Sequence, residues 1–247
     1  MPEEAPHFIY DEISSQGEAW EQLIPLIVAR AEAIGQFFDG VEEVIFSGCG
    51  SGLNAALCAA PTFQAKAGIS ARAIPAAEID QFPESVLLGG RQTVGVLLSR
   101  SGKTTEVVRA LDQLHTRGIR VLAITCTASS GLATGSDLAF ILLPVTEQAV
   151  ATTRSITGMI LSTQLLAATV SGDESYLDEL SRLPQLGQAQ MQRFHELGKE
   201  IGQREDIKRY AFVGSGPFFG VAQESQLKVK EMVLLPVDAY PTLDFRH

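Results

Sequence analysis

Two clusters in this sequence are built from residue types that do chemistry. The first is Ser99-Arg100-Ser101-Gly102-Lys103-Thr104, which ends the aliphatic run TVGVLL in hydroxyls, a glycine and two cations. Small hydroxyls beside free backbone N–H groups at a helix start favour anions, phosphate above all, because the N–H groups and the helix dipole both attract negative charge. SGKT looks like the end of a nucleotide-binding P-loop. That motif needs a glycine at position 97, and the residue there is Leu97. A second glycine turn, Gly48-Cys49-Gly50-Ser51-Gly52, is spaced GxGxG rather than GxGxxG and supports a dinucleotide site poorly. Taken singly, Ser101 reads as an N-cap and Thr104 as a first-turn residue. Ser51, Ser99, Ser101 and Thr104 together, on two adjacent strand ends, shift the reading towards a phosphate cradle. The turn Thr125–Ser130 is expected at the same edge. Cys49 has no histidine near it in sequence and reads as a small filler rather than a nucleophile.

The second cluster is Glu224, Lys228 and Glu231, spaced i, i+4 and i+7 on one helix face. On an arbitrary helix this is a solvated stripe with one ion pair, worth roughly 0.3 kcal/mol. Here a Gly-x-Gly turn precedes the helix, and Val221, Leu227, Met232 and Val233 flank the three charges, so the face can also line a cleft. A carboxylate beside an ammonium suits a base that takes a proton from one carbon and returns it to the next. Histidine suits a second acid–base step such as ring opening. His247 is the candidate, while His7, His115 and His195 read as structural or solvent-exposed.

These clusters need elements to hold them. Residues 12–39 read as a helical lead-in in which Pro25 marks a break or a first turn. Five short apolar runs follow: VIF, ISARAIPAAEI, TVGVLLS, VLAITCT and DLAFILLPV. Helical segments alternate with them, which predicts an α/β fold, a three-layer sandwich around a five-stranded parallel sheet of flavodoxin-like type. A helix from about Thr153 to Val170, a polar stretch SGDESYLDEL and a long helix come next. Then IKRYAFVGSGPFFGVAQESQ repeats the opening plan of short strand, Gly-x-Gly turn and helix, with Gly214 in the place of Gly48. The expected division is a lead-in over 1–40, a first domain over 41–170, a linker with a long helix over 171–203, and the start of a second similar, incomplete unit over 204–247. An N-terminal portion of a longer two-unit protein, or a shortened homologue, is therefore expected, with apolar surface left over at the end.

Composition sets the remaining limits. The formal net charge of −10 over 247 residues disfavours nucleic acid and anionic membranes, so an anionic ligand must be held by a local site. Three cysteines, with no CxxC pair, argue against a disulfide framework and a zinc site, and fit a reducing, cytoplasmic setting. The acidic start MPEEAPHFIYDE shows no signal peptide, and SITGMILSTQLLAATV is too short and too polar to span a bilayer.

Four motifs, FSGCGSG, LLSRSGKTTE, TEQAVATTRSITGMIL and QESQLKVKEMVLLPVDAYPTLDFRH, resemble the SIS (sugar isomerase) family of phosphosugar-binding domains. The likeness is nearest to the isomerase half of glutamine–fructose-6-phosphate aminotransferase and to stand-alone relatives acting on amino-sugar or fructosamine phosphates. The resemblance implies that Ser51, Gly52, Ser99, Arg100, Ser101, Thr104 and Val150 surround the phosphosugar. It implies that Glu231 moves the proton between C1 and C2, that Lys228 and Glu224 support it, and that His247 opens the ring from a neighbouring subunit. A homodimer that binds a small-molecule sugar phosphate, with no cofactor and no metal, is therefore expected. Three positions depart from the family pattern. Gly52 replaces a hydroxyl, Arg100 a glutamine and Lys103 a frequent glutamate. A phosphosugar-sensing module without catalysis is the rival expectation. A dinucleotide-dependent oxidoreductase ranks last, because SRSGKT would have no task in it.

Overall fold

The computed structural model describes residues 8–247. His7 lies outside the described residues. The lead-in is three helices: α1 (Phe8–Ser14), α2 (Gln16–Val28) and α3 (Ala31–Phe38). Pro25 neither breaks nor starts a helix, contrary to the expectation; it sits inside α2. Proline removes one N–H and disturbs the carbonyl four residues back. That residue, Glu21, is exposed, so water can satisfy the carbonyl.

The five apolar runs form the strands β1 (Glu43–Gly48), β2 (Ser70–Pro75), β3 (Thr93–Leu98), β4 (Arg120–Thr125) and β5 (Leu138–Ile141). They make one parallel sheet in the order β2-β1-β3-β4-β5, the doubly wound order of flavodoxin-like folds. The second run is shorter than expected. It stops at Pro75, and the AAEIDQ that follows is helix α5 (Ala76–Gln81), since proline cannot donate to the ladder. The other helices are α4 (Ser51–Ala67), α6 (Pro83–Val86), α7 (Thr105–His115), α8 (Gly131–Gly135), α9 (Arg154–Ser171), α10 (Glu174–Ser181) and α11 (Leu183–Gly202). The polar SGDESYLDEL therefore contains a helix, α10, whose N-cap Asp173 accepts from the Tyr176 N–H at 2.9 Å.

Alternation along the strands builds two cores. Val44, Phe46, Val96 and Leu98 face one side, with Phe63 of α4 and Leu165 of α9. Ile45, Leu97 and Val121 face the other, with Val107 and Leu114 of α7. Helices α4 and α7 both start at the carboxyl ends of β1 and β3, so their unpaired first-turn N–H groups meet at one edge of the sheet.

The chain then repeats its first step. Strand β6 (Tyr210–Val213) leads through a turn into α12 (Pro217–Met232), and β7 (Val237–Tyr240) pairs parallel with β6. The turn residues Gly50 and Gly216 take nearly the same backbone angles, φ 52°, ψ −123° and φ 58°, ψ −132°. Helix α12 lies against α4 rather than in solvent. Gly220 permits this: a Cβ there would stand 2.5 Å from the Asn54 carbonyl oxygen and 2.5 Å from Cys58 Sγ. One turn beyond Gly220, Glu224 faces the start of α4.

Candidate active site

A pocket of about 240 Å³ sits where α4, α7, α9 and α12 approach the sheet edge. Ser51, Gly52, Ser99, Arg100, Ser101, Thr104, Val150 and Glu231 all line it, with Thr152, Leu227 and Met159. Eight residues singled out in the sequence thus share one space.

The hydroxyl end comes from two loops. Ser99 is buried at the end of β3. Its Oγ lies 3.1 Å from Thr104 Oγ1 and accepts from the Gly102 N–H at 3.2 Å. Thr104 occupies the N-cap position of α7 without capping it, so its hydroxyl stays on the pocket side. Ser101 is exposed and accepts from the Lys103 N–H at 3.2 Å. The turn Thr125–Ser130 is not in the pocket lining. It supports the first loop from behind, with Thr125 Oγ1 donating to the Arg100 carbonyl at 3.1 Å and the Cys126 N–H to the same carbonyl at 3.0 Å.

Gly52, which the resemblance reads as a replaced hydroxyl, is closely enclosed by backbone. A Cβ at position 52 would lie 2.4 Å from the Leu98 carbonyl oxygen. The start of α4 presses directly on β3, and a side chain enters only if one of them shifts. Gly52→Ser is expected to push α4 off the sheet. The expected cost is about 2 kcal/mol, a Tm drop of roughly 5 °C, with weaker anion binding at the adjoining loops. Thermal unfolding beside phosphate titration measures both; an unchanged Tm would show that the contact relaxes freely.

The charged end is a network on α12. Glu224 is buried and accepts from Ser51 Oγ at 2.9 Å and from Asn54 Nδ2 at 2.8 Å. Lys228 Nζ lies 3.3 Å from Glu224 Oε1 and 2.5 Å from Glu231 Oε2, and it donates to Thr152 Oγ1 at 2.9 Å. Ser51 Oγ and Thr152 Oγ1 are 2.6 Å apart. The three charges are therefore not a solvated stripe. Lys228 is 15% exposed and joins a buried carboxylate to one that is 41% exposed and opens on the pocket. Asn54 and Thr152 are not singled out by the sequence. Asn54 lies three residues after Ser51 on the same helix face, a spacing that marks it in retrospect. Thr152 lies in the TEQAVATTRS stretch that the resemblance reads as a substrate-lining loop, but its type and spacing do not set it apart within that stretch.

That loop, residues 146–153, forms a strap over one side. Arg100 is tied to it: Nη1 donates to the Ala149 carbonyl at 2.9 Å and to Glu147 Oε2 at 3.3 Å, and Nη2 to the Val150 carbonyl at 3.1 Å. Glu147 has a side chain 0% exposed and accepts from the hydroxyls and backbone N–H groups of Thr153 and Ser155. Burial pushes its carboxyl up, but the hydrogen bonds from Ser155 and Thr153 outweigh burial and hold it below the ordinary carboxylate range. Arg154 donates to the Thr146 carbonyl at 3.0 Å and to Ser15 Oγ at 2.9 Å, which makes it a fastener of the strap. Val150, at the tip, is 93% exposed.

Cys49 lines the pocket half-buried; burial first, then the Glu106 carboxylate, push its thiol up, the opposite of an activated nucleophile. Burial drives Cys58 and Cys126 up to about 12. His247 follows an exposed 3-10 turn, Asp244–Arg246, and is not in the pocket lining. His115 pairs with Asp137 at 3.0 Å and His195 meets the Tyr10 ring edge, both away from the pocket. Among the described residues, no group of three or more His, Cys, Asp or Glu residues could hold a metal ion, and no helix is long and apolar enough to cross a membrane.

Comparison with known proteins gives this geometry a family. The SIS domain profile matches residues 39–169. Glutamine–fructose-6-phosphate aminotransferase (isomerizing) from Helicobacter pylori is 24% identical over 97% of this chain, which spans 41% of that relative's length. The solved structure of tagatose-6-phosphate ketose/aldose isomerase from Escherichia coli superposes with a TM-score of 0.86 at 24% identity, over 97% of this chain and 68% of that one. Glucosamine-6-phosphate deaminase from Thermotoga maritima is 32% identical over 91% of this chain and 71% of its own, with a TM-score of 0.72. With the profile spanning more than half of its length and a relative above 30% identity, this chain belongs to the SIS domain family.

Proposed function

We propose that this chain binds a phosphorylated sugar and carries the proton-transfer site of an aldose–ketose isomerase type of enzyme. The proposed substrate is an amino-sugar phosphate or a fructosamine phosphate. One observation carries the reading. A cradle of small hydroxyls and helix N-termini, and the Lys228-paired carboxylate of Glu231, face the same 240 Å³ pocket. The relatives named above support the sugar-phosphate part of it.

The phosphate sits among Ser51, Ser99, Ser101 and Thr104, where first-turn amides of α4 and α7 add donors. The sugar chain then runs towards α12. Glu231 removes the proton from one of C1 and C2 and returns it to the other, through an enediol or, with nitrogen on the carbon, an enolamine. Lys228 keeps Glu231 oriented and balances the charge that develops on oxygen. Glu224 holds Lys228 and Ser51 in place. His247 of a second copy is the proposed ring-opening group, which makes the active form a homodimer. No cofactor is assigned, and the cytoplasm is the proposed location.

The test is solvent exchange. Fructose 6-phosphate, tagatose 6-phosphate, glucosamine 6-phosphate and a fructosamine 6-phosphate are incubated with the chain in D2O and followed by proton NMR, with calorimetry in parallel. Deuterium appearing at C1 or C2 of one of them is the expected result. Binding without exchange would favour a non-catalytic sugar-phosphate sensor, and no binding of any of them would sink both readings.

A further inference from the structure

The strap is also held from its outer side, by a residue remote in sequence. Glu12 of α1 accepts from the Gln148 N–H at 2.5 Å and from the Ala149 N–H at 3.2 Å, both through Oε1. Ala149 is therefore gripped at both ends. Its N–H is on Glu12, and its carbonyl is on Arg100 of the pocket.

The rest of α1 shows how unusual this anchor is. Glu12 is 4% exposed and is the helix's one buried side chain among the described residues. Phe8, Ile9 and Tyr10 are 39%, 37% and 52% exposed. A short helix normally docks by its apolar side. This one buries a carboxylate; just past its end Arg154 donates to Ser15 Oγ, and on its exposed side the Tyr10 ring meets His195. Glu12 Oε2 is buried with no hydrogen-bond partner among the described residues. Burying an unpartnered polar atom costs stability. An apolar residue would dock α1 at lower cost but would leave two strap amides unpaired.

We propose that Glu12 is a positioning residue for substrate binding. It fixes the backbone of Gln148 and Ala149, and through them the carbonyls that hold Arg100 and the pocket position of Val150. The effect on affinity rests on the phosphosugar reading; the effect on the strap does not.

The test compares Glu12→Ala and Glu12→Gln in the full chain, by amide hydrogen exchange and by calorimetry with glucosamine 6-phosphate. In Glu12→Ala, exchange across residues 146–153 is expected to rise about tenfold while β1, β3 and β4 keep their protection. The sugar phosphate Kd, or KM where turnover is measured, is expected to rise about tenfold with kcat within about twofold. Glu12→Gln keeps one acceptor oxygen for the two amides and is expected to restore most of both. Should Glu12→Ala fail to fold, Glu12→Asp, one methylene short of the amides, carries the same expectation. Unchanged strap exchange in the Ala or Asp variant would overturn the proposal. So would a loosened strap with unchanged affinity, or a Gln variant as impaired as Ala. If the unmodified chain binds no sugar phosphate, the phosphosugar reading fails, and the exchange arm still decides whether Glu12 anchors the strap.

Discussion

Glu231→Gln is expected to lower proton exchange at the sugar carbon by about a thousandfold while sugar phosphate binding stays within about threefold. The reason is geometric. Glu231 is the carboxylate that opens on the pocket, whereas Glu224 is spent on Ser51, Asn54 and Lys228. Glutamine is nearly the same shape and still reaches Lys228 with its carbonyl oxygen, so the α12 network survives and the cradle is untouched. What disappears is the proposed proton acceptor. Deuterium incorporation reads the chemistry, and calorimetry reads the binding. Full exchange in this variant would remove Glu231 as the base. Equal loss of binding and exchange would make it a ligand for the substrate instead.

Much of this arrangement is legible in the sequence, and the parts that are not share a cause. The buried strands stand out because a parallel sheet covered on both faces leaves no polar alternation, as in TVGVLL. The repeat of the glycine turn at Gly48 and Gly214 is visible for a similar reason: a strand that meets a helix N-terminus at close range leaves little choice of residue. The i, i+4, i+7 spacing places Glu224, Lys228 and Glu231 on one face, but does not decide between solvent and cleft. Helix packing decides it, through the Gly220 approach to α4. Partners distant in the chain are beyond the reach of sequence patterns. Glu12 and Ala149 are 137 residues apart, and Ser51 and Glu224 are 173 apart. No periodicity links such pairs; the topology alone does. Gly52 illustrates the reverse case. In the sequence it reads as a missing hydroxyl, whereas in the fold a Cβ there would lie 2.4 Å from the Leu98 carbonyl oxygen, so a side chain requires α4 or β3 to shift.

The largest loss of stability is expected from Glu147→Ala. The carboxylate is fully buried and receives hydrogen bonds from Thr153, Ser155 and Arg100. Alanine would leave two hydroxyls and two backbone N–H groups without their acceptor, in a region where Thr153 and Ser155 are themselves buried. Arg100 is 29% exposed and can recover part of its hydration, so the ion pair is not the main term. The unpaired donors are, and together they put the cost at about 3 kcal/mol, or a Tm drop of about 10 °C. The same group dictates an acid response. Its folded carboxyl lies below the ordinary range, so the stability it contributes is fully present above the unfolded value of about 4.3 and is lost as pH falls through the depressed folded value. The unmodified chain should therefore lose strap protection in acid before the sheet unfolds, and Glu147→Ala should already show at neutral pH the loosened strap that the unmodified chain shows only in acid. Thermal unfolding and amide exchange across pH 3–7 measure both. A Glu147→Ala variant with an unchanged Tm and a protected strap would show that Arg100 and Glu12 hold the loop closed without it, and would leave the buried carboxylate without the role assigned to it.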